Sequence, residues 1–360
     1  MLDYPFLQMP FIEALEKSSS VCADTGWEPM HLSAQENECE FFMPLYLKSH
    51  SWGEYVFDWS WANAYQEYGL DYYPKLLTAI PFTPATGPRI TGLKNGTANA
   101  VVCEKLVNNA LQLTKELGAS GWHLLFPEKT LLENLKELPL LNRTGVQYHW
   151  FNRGYQDFDH FLSTLNSRKR KMVRKERADV VRQNIQIDML EGDCIDADTW
   201  VFFYQLYQRT YLKRSGTGGY LNKAFFTQIA TTMPEQIVMA IARQENQPIA
   251  CALYFYDSET LYGRYWGSWG EFQYLHFELC YYRGIELAIA KGLKKFDAGA
   301  QGEHKIIRGF EPVETHSLHW IADHRFREAI ARFLDDENHS IQAYIRRAAE
   351  TLPYKKHTNP

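Results

Sequence analysis

The densest run of reactive residue types in the chain is GAQGEHKIIRGF, at 299–310. Gly299, Gly302 and Gly309 bracket an amide (Gln301), a carboxylate (Glu303), an imidazole (His304) and two cations (Lys305, Arg308). These types together suit proton transfer beside an anionic group. His304 and Arg308 are four apart, so one helical turn aligns them. The run follows an expected strand at the carboxyl side of a strand–helix–strand unit, where open α/β sheets bind ligands. A capped connection decorated with surface charges is the plainer reading.

Two further motifs precede it. In HFELCYY, at 276–282, Glu278 and Tyr282 lie one helical turn apart. They edge an apolar stripe of Phe277, Tyr281, Ile285, Ala288 and Ile289. A carboxylate beside aromatics can hold a raised pKa and act as a general base. A tyrosine hydroxyl could protonate a leaving group, and His276 is a capping or binding residue. The alternative for Glu278 and Tyr282 is structural hydrogen bonding. In RYWGSWG, at 264–270, Arg264 and Gly267 fit the Q/R-x-x-G-x-G/A loop that acyl-CoA enzymes of the GNAT type use to hold pyrophosphate on backbone N–H groups. Trp269 stands where a small residue belongs and would obstruct close approach. The run reads either as an altered donor loop or as an ordinary glycine-containing turn.

Together these residues describe direct acyl transfer to an amine. Glu278 or Glu303 would accept the amine proton, directly or through water, and Tyr282 would protonate the leaving group. His304, also a catalytic candidate, would with Lys305 and Arg308 hold an anionic donor or acceptor group. N–H groups near Trp266 and Gly267 would stabilise the oxyanion. His276, Gln301, Lys305, Arg308 and Arg264 would hold substrate. Thr83 and Arg89, in the proline-stiffened run PFTPATGPR (81–89), add a hydroxyl and a fork for carboxylate or phosphate. The aromatic run HSWGEYVFDWSWA (50–62) could form a substrate wall or simply fill core. Seven of the ten residues 168–177 are basic, which suits phosphate such as that of tRNA; a solvated helix face is the plainer reading.

The formal net charge is −5, so any attraction for polyanions must be local. Six scattered cysteines without a C-x-x-C read as reduced thiols. Twelve histidines include no H-E-x-x-H and no zinc spacing, so no metal site is expected. The first twenty residues lack a basic n-region and carry Asp3, Glu13 and Glu16, unlike a signal peptide. No apolar run reaches membrane-spanning length. The expectation is a soluble cytoplasmic protein.

The elements that must position these residues follow from periodicity. In the first half, strands are expected over 30–34, 39–48, 75–80, 122–126 and 146–151, with helices over 56–68, 98–117 and 130–137. In the second, helices are expected over 158–166, 169–183, 197–213, 223–231, 275–291 and 326–349, and strands over 185–190, 236–242, 248–256, 260–266, 295–298 and 314–321. Each half has a hairpin turning at Gln-Glu-Asn (35–37 and 244–246), then a strand, a helix stopped by glycine (Gly118, Gly292) and a short apolar strand. This repeat implies an α/β (α+β) fold of two GNAT-like domains, each a mixed central sheet flanked by helices, over 1–151 and 152–334, with a C-terminal helix and tail over 335–360.

The segments 50–62, 81–89, GRYWG (263–267), LHFELCYYRGIE (275–286) and 299–310 together resemble a bacterial family of N-acyltransferases described as Fem-like, or as peptidoglycan biosynthesis/recognition proteins. The resemblance covers nearly the whole chain. It implies a tandem GNAT-like fold with an acceptor cleft between the halves. Fem-type relatives transfer amino acids from aminoacyl-tRNA to a cell-wall precursor amine. The expected function is therefore an N-acyltransferase with a small-molecule or peptide-like acceptor. Its co-substrate would be acyl-CoA or aminoacyl-tRNA, the latter held at 168–177, with no resident cofactor. The alternative is a non-catalytic recognition protein binding peptidoglycan-type or peptide ligands.

Overall fold

The structure, a computed structural model, describes residues 3–93, 98–300 and 302–355. Two compact units emerge, both discontinuous: Met1–Val146 with Glu314–Ile345, and Gln147–Val313 with Arg346–Pro360. The boundaries expected at 151 and 334 are thereby corrected. Residues 314–345 return to the first unit because Ser317–Ile321 pairs with Gly121–Leu125, and because Phe326, Ile330 and Leu334 pack on Trp61, Tyr65 and Tyr72.

In the first unit the sheet runs Trp27–Pro29, Tyr46–Lys48, Lys75–Thr78, Gly121–Leu125 and then the Ser317–Ile321 part of Glu311–Ile321. Among the described strands of this sheet, Lys75–Thr78 and Gly121–Leu125 are the parallel pair, and helix Ala100–Glu116 makes the crossover. That helix forms as its spacing demands. Asn99 caps it by accepting from Val102 N, and Val102, Leu106, Val107, Ala110 and Leu111 bury one face. Gly118, at φ 63°, follows its end. The hairpin Leu32–Glu36 with Cys39–Met43 makes a separate small sheet with Thr91–Gly92.

In the second unit the sheet runs His149–Phe151 (the end of Leu141–Phe151), Lys295–Asp297, Thr260–Ser268, Gln247–Tyr256, Ile237–Gln244 and Ile185–Glu191. Again one pair is parallel, Thr260–Ser268 with Lys295–Asp297. The helical crossover over 275–290 contains a π-turn at Glu278–Tyr282. Helix Ala197–Ser215 packs on this sheet.

The two halves share this order of elements, but the Gln-Glu-Asn match is not its cause. The first hairpin turns at Asn37–Glu38 (φ 48° and 64°), the second at Glu245–Asn246 (φ 50° and 62°). Both are two-residue turns with paired positive φ, as right-twisted hairpins prefer. The tripeptides are offset by one residue, so the duplication lies in topology.

A buried ionic cluster anchors the first unit. Lys75 Nζ donates to Ser51 Oγ (2.8 Å), Glu54 (2.7 Å) and Asp58, all of them buried. Asp58 also accepts from Tyr72 Oη (2.7 Å), and Lys48 Nζ lies 3.6 Å from the Trp27 ring centroid. Burial pushes Glu54 up to about 7 and Lys48 down to about 6. Although burial opposes it, Glu54 and Asp58 hold the Lys75 ammonium above its ordinary value. Removing one partner strands the others without water. Lys75→Met should therefore cost about 3–5 kcal/mol, measured by urea unfolding; a loss below ~1 kcal/mol would mean that the cluster is solvated.

Candidate functional site

The parallel pair in the second unit is short. Thr260, Leu261 and Tyr262 face Lys295, Phe296 and Asp297, and past Tyr262 and Asp297 no pairing joins the strands among the described residues. A bulge marks the parting. Leu253 faces Tyr265 while Tyr254 faces Gly263, which leaves Arg264 as the extra residue. The bulge aims Arg264 at Asp297 (3.1 Å), with both side chains buried. Burial raises the Asp297 carboxyl, but Arg264 and His149 overcome it and hold the group at about 2. His149 lies 3.8 Å from Asp297, and burial brings its imidazole down to about 4.

The run beginning at Gly299 closes over this parting. Asp297 accepts from Gly299 N (2.9 Å), and Lys305 Nζ donates to Gly299 O (2.5 Å). Lys305 is buried, and burial lowers it to about 8 against the pull of Asp297. Residues Glu303–Arg308 form a tight helical turn with Glu303 and His304 exposed. His304 Nε2 hydrogen-bonds Tyr281 Oη at 2.8 Å. Partial burial, Arg308 and Lys305 together hold its imidazole below the ordinary histidine value. The His276 ring stands between the rings of Trp266 (4.9 Å) and His304 (6.4 Å), linking one side of the parting to the other. Gln301 lies outside the described residues.

Glu278 and Tyr282 have different work from the expected acid–base roles. The π-turn inserts an extra residue per turn and rotates the side chains that follow. Glu278 is clamped bidentately by Arg177 (3.0 and 3.1 Å), with Arg283 3.0 Å away, and Glu286 bridges the same two arginines. Burial pushes Glu278 up while Arg177 pulls it down. Tyr282 is fully buried and bonds Glu176, which Arg308 also grips at 2.7 and 3.2 Å. Arg308 thus meets Glu176 and the face of Phe277 (3.5 Å). It is a tether rather than an anion ligand.

The FemAB-like family, described as peptidoglycan biosynthesis/recognition, matches residues 1–356. The chain belongs to this family. No curated protein matches it in sequence. Among solved structures, FemX is 13% identical, with 90% of this chain and 93% of that chain covered and a TM-score of 0.55. The C-terminal domain of a putative lysylphosphatidylglycerol synthetase from Agrobacterium fabrum is 12% identical, with 92% and 97% covered and a TM-score of 0.53. A tandem GNAT protein from clavulanic acid biosynthesis is 7% identical over 90% of each chain, with a TM-score of 0.44. The fold is thus like that of FemX, with a mixed sheet flanked by helices in each unit.

Within this FemAB-like chain, several expected binding residues are consumed by the fold. Trp266 and Gly267 are strand residues facing Ala252 and Cys251, because the strand runs on to Ser268. The expected donor loop is therefore absent at that place. A Cβ on Gly267 would lie 2.6 Å from Leu206 Cβ and 2.7 Å from its carbonyl oxygen, so this glycine admits helix Ala197–Ser215. Arg264 serves Asp297. In the first unit, Thr83 is buried and donates to Pro81 O (3.0 Å). Arg89, fully buried, donates to the carbonyls of Leu125, Gly87, Pro88 and Ala85 at 2.6–3.1 Å. Gly87 N also donates to Phe126 O (3.2 Å), and Gly87 forms a parallel bridge with Pro127. The first unit's parallel pair is thus followed by a loop stapled shut, whereas the second unit's pair parts.

The basic helix is Ser167–Arg182. Arg170 reaches the carbonyls of Ser163 and Leu165, Arg174 pairs with Asp159, and Arg177 grips Glu278. Arg168, Lys171 and Lys175 recur at helical spacing on one exposed face, with no ion pair among the described residues. Three residues at the parting escaped sequence reasoning. Asp297 had a signal, an acid ending an apolar strand beside glycine. His149 had none, and Tyr281 was indistinguishable from the apolar stripe.

Gly267→Ala should destabilise the protein by ~1–3 kcal/mol through overpacking against Leu206, read as a lowered urea midpoint. An unchanged midpoint would mean that Gly267 borders open space, as a phosphate loop requires.

Proposed function

We propose that this protein is an N-acyltransferase that moves an aminoacyl group from an ester donor carried on a polyanion such as tRNA to an amine acceptor of cell-wall peptide type, in the parting of the second unit. The observation that carries the reading is the parting itself, flanked by the histidine of an exposed turn and a buried lysine. The family description supports the cell-wall context. The donor assignment rests on the exposed face of Arg168, Lys171 and Lys175, and on the absence of the expected pyrophosphate loop at 264–270.

In the proposed step the acceptor amine attacks the ester carbonyl. The C–N bond forms and the C–O bond to the donor ribose breaks. His304, neutral at pH 7, takes the amine proton and returns it to the departing oxygen. Lys305 spends one N–H on Gly299 O, which leaves two donors for the oxyanion. Glu278 and Tyr282 hold the π-turn, and Glu303 plays no part in the step.

The pH dependence follows with its sign. Base catalysis by His304 needs the unprotonated ring, so the acid limb should fall below pH 6.5. The Lys305 ammonium is lost as pH rises through about 8, so the alkaline limb should fall there. His304→Ala should lower kcat ~100-fold without moving the unfolding midpoint. Lys305→Met should remove the alkaline limb. Full transfer activity in His304→Ala sinks the assignment.

Binding of aminoacylated tRNA should weaken linearly in log–log salt plots. Replacing Arg168, Lys171 and Lys175 by Ala should flatten the slope by about one for each cation that meets a phosphate. Stabilisation by acetyl-CoA but not by tRNA would reassign the donor. Stabilisation only by muropeptides, with no transfer, would favour recognition without chemistry.

A further inference from the structure

We infer that the C-terminal strap, residues 353–355, is a working part of the second unit's site, and that Tyr354 is the positioning residue for the turn Glu303–Arg308. The strap belongs to the second unit although most of the long helix before it belongs to the first. It grips two places at once.

One grip is on the start of the basic helix. Tyr354 forms an antiparallel bridge with Leu165, Asn166 N donates to Pro353 O (2.8 Å), and Lys355 N donates to Thr164 O (2.9 Å). Asn166 is also the cap of helix Ser167–Arg182, accepting from Lys169 N at 3.0 Å. The other grip is on the turn. Tyr354 Oη donates to Gly309 O at 2.6 Å. Gly309, at φ 95°, ends the turn, and a Cβ there would meet the Phe161 ring at 2.9 Å and Tyr354 Oη at 3.3 Å. Arg153 lies 5.2 Å from the Tyr354 ring and pairs with Glu311 (2.6 Å), just past the turn.

The strap therefore joins the two elements whose side chains meet as Glu176 and Arg308. Helix Ser167–Arg182 supplies Glu176, and the turn supplies Arg308. A six-residue turn bordered by Gly302 and Gly309 has little stability of its own. Its hold on His304 and Lys305 must come from outside, and Tyr354 is one such hold. Burial and Glu311 raise the Tyr354 phenol well above its usual value, so it remains a donor throughout the pH range of an assay.

This inference rests on the proposed reading only in taking the turn as the carrier of reactive groups. Tyr354→Phe deletes the hydroxyl and keeps the ring and the backbone bridge. By hydrogen exchange on the full chain, amides of 303–309 should exchange about fivefold faster, the equivalent of ~1 kcal/mol. Exchange by local opening in helix Ala197–Ser215 should stay as in the wild type, and the unfolding midpoint should fall by no more than the same ~1 kcal/mol. Thr351→Val, which removes a hydroxyl that donates to Ala348 O within the same segment, is the control and should leave 303–309 unchanged. In the transfer assay Tyr354→Phe should lower kcat severalfold at constant KM. Unchanged exchange at 303–309 overturns the positioning role, as does a uniform rise across the second unit. Faster exchange at 303–309 with His304→Ala fully active keeps the positioning role and removes the proposed chemistry.

Discussion

Everything in the second unit's site depends on two parallel strands that pair for three residues and then separate. The cause is local. One extra residue in Thr260–Ser268 breaks the register with Gln247–Tyr256 and turns Arg264 toward Asp297. A buried guanidinium and a buried carboxylate cannot stay apart without large desolvation cost, so they close on each other. That pair pins the bases of the two strands. Asp297 then fixes the Gly299 amide, and Lys305 takes the Gly299 carbonyl. The run that follows is thereby folded back over the gap instead of leaving the sheet.

The first unit has the same crossover and resolves it the other way. Its parallel strands are followed by a loop whose carbonyls converge on Arg89. A guanidinium has five N–H donors and no acceptor, so a ring of backbone carbonyls suits it without any acid nearby. Gly87 completes the closure by pairing with Phe126 and Pro127. Repetition of the topology therefore did not repeat the loop geometry after the parallel pair. An arginine used as a staple closes one copy, and an arginine used as half of an ion pair leaves the other open.

Most of this architecture was legible in the sequence, because periodicity and caps are local. The helix expected at 98–117 lies at Ala100–Glu116, and the hairpin strands of the second unit fall within two residues of their expected bounds. Helix Met9–Lys17 is not among the expected elements; Pro10 stands in its first turn, where proline is tolerated. The site was only half legible. The polar run 299–310 announced itself by composition. Glu278 and Tyr282 looked like a neighbouring acid–base pair because regular helical spacing was assumed. The π-turn and their distant partners, Arg177 and Glu176, cannot be read from spacing. Arg89 looked like a ligand fork because nothing local reveals that its partners are backbone oxygens.

These reassignments separate two kinds of charged residue in the second unit. Glu278 with Arg177 and Arg283, and Glu176 with Arg308 and Tyr282, use their lone pairs and N–H groups on one another. A carboxylate clamped by guanidiniums is held toward its ionised form, which makes it a poorer proton acceptor than burial alone would. In this structure the groups hold neighbouring elements together. Proton transfer needs a group whose basic form is populated at neutral pH and whose nitrogen reaches solvent. His304 lies on an exposed turn held from below, by Lys305 on Gly299 and by Arg308 on Glu176; with Nε2 bonded to Tyr281 Oη, the base of the proposed step is Nδ1, in the tautomer whose Nε2–H donates to that hydroxyl. The ion pairs that looked like chemistry in the sequence hold the turn that carries His304, the base of the proposed transfer.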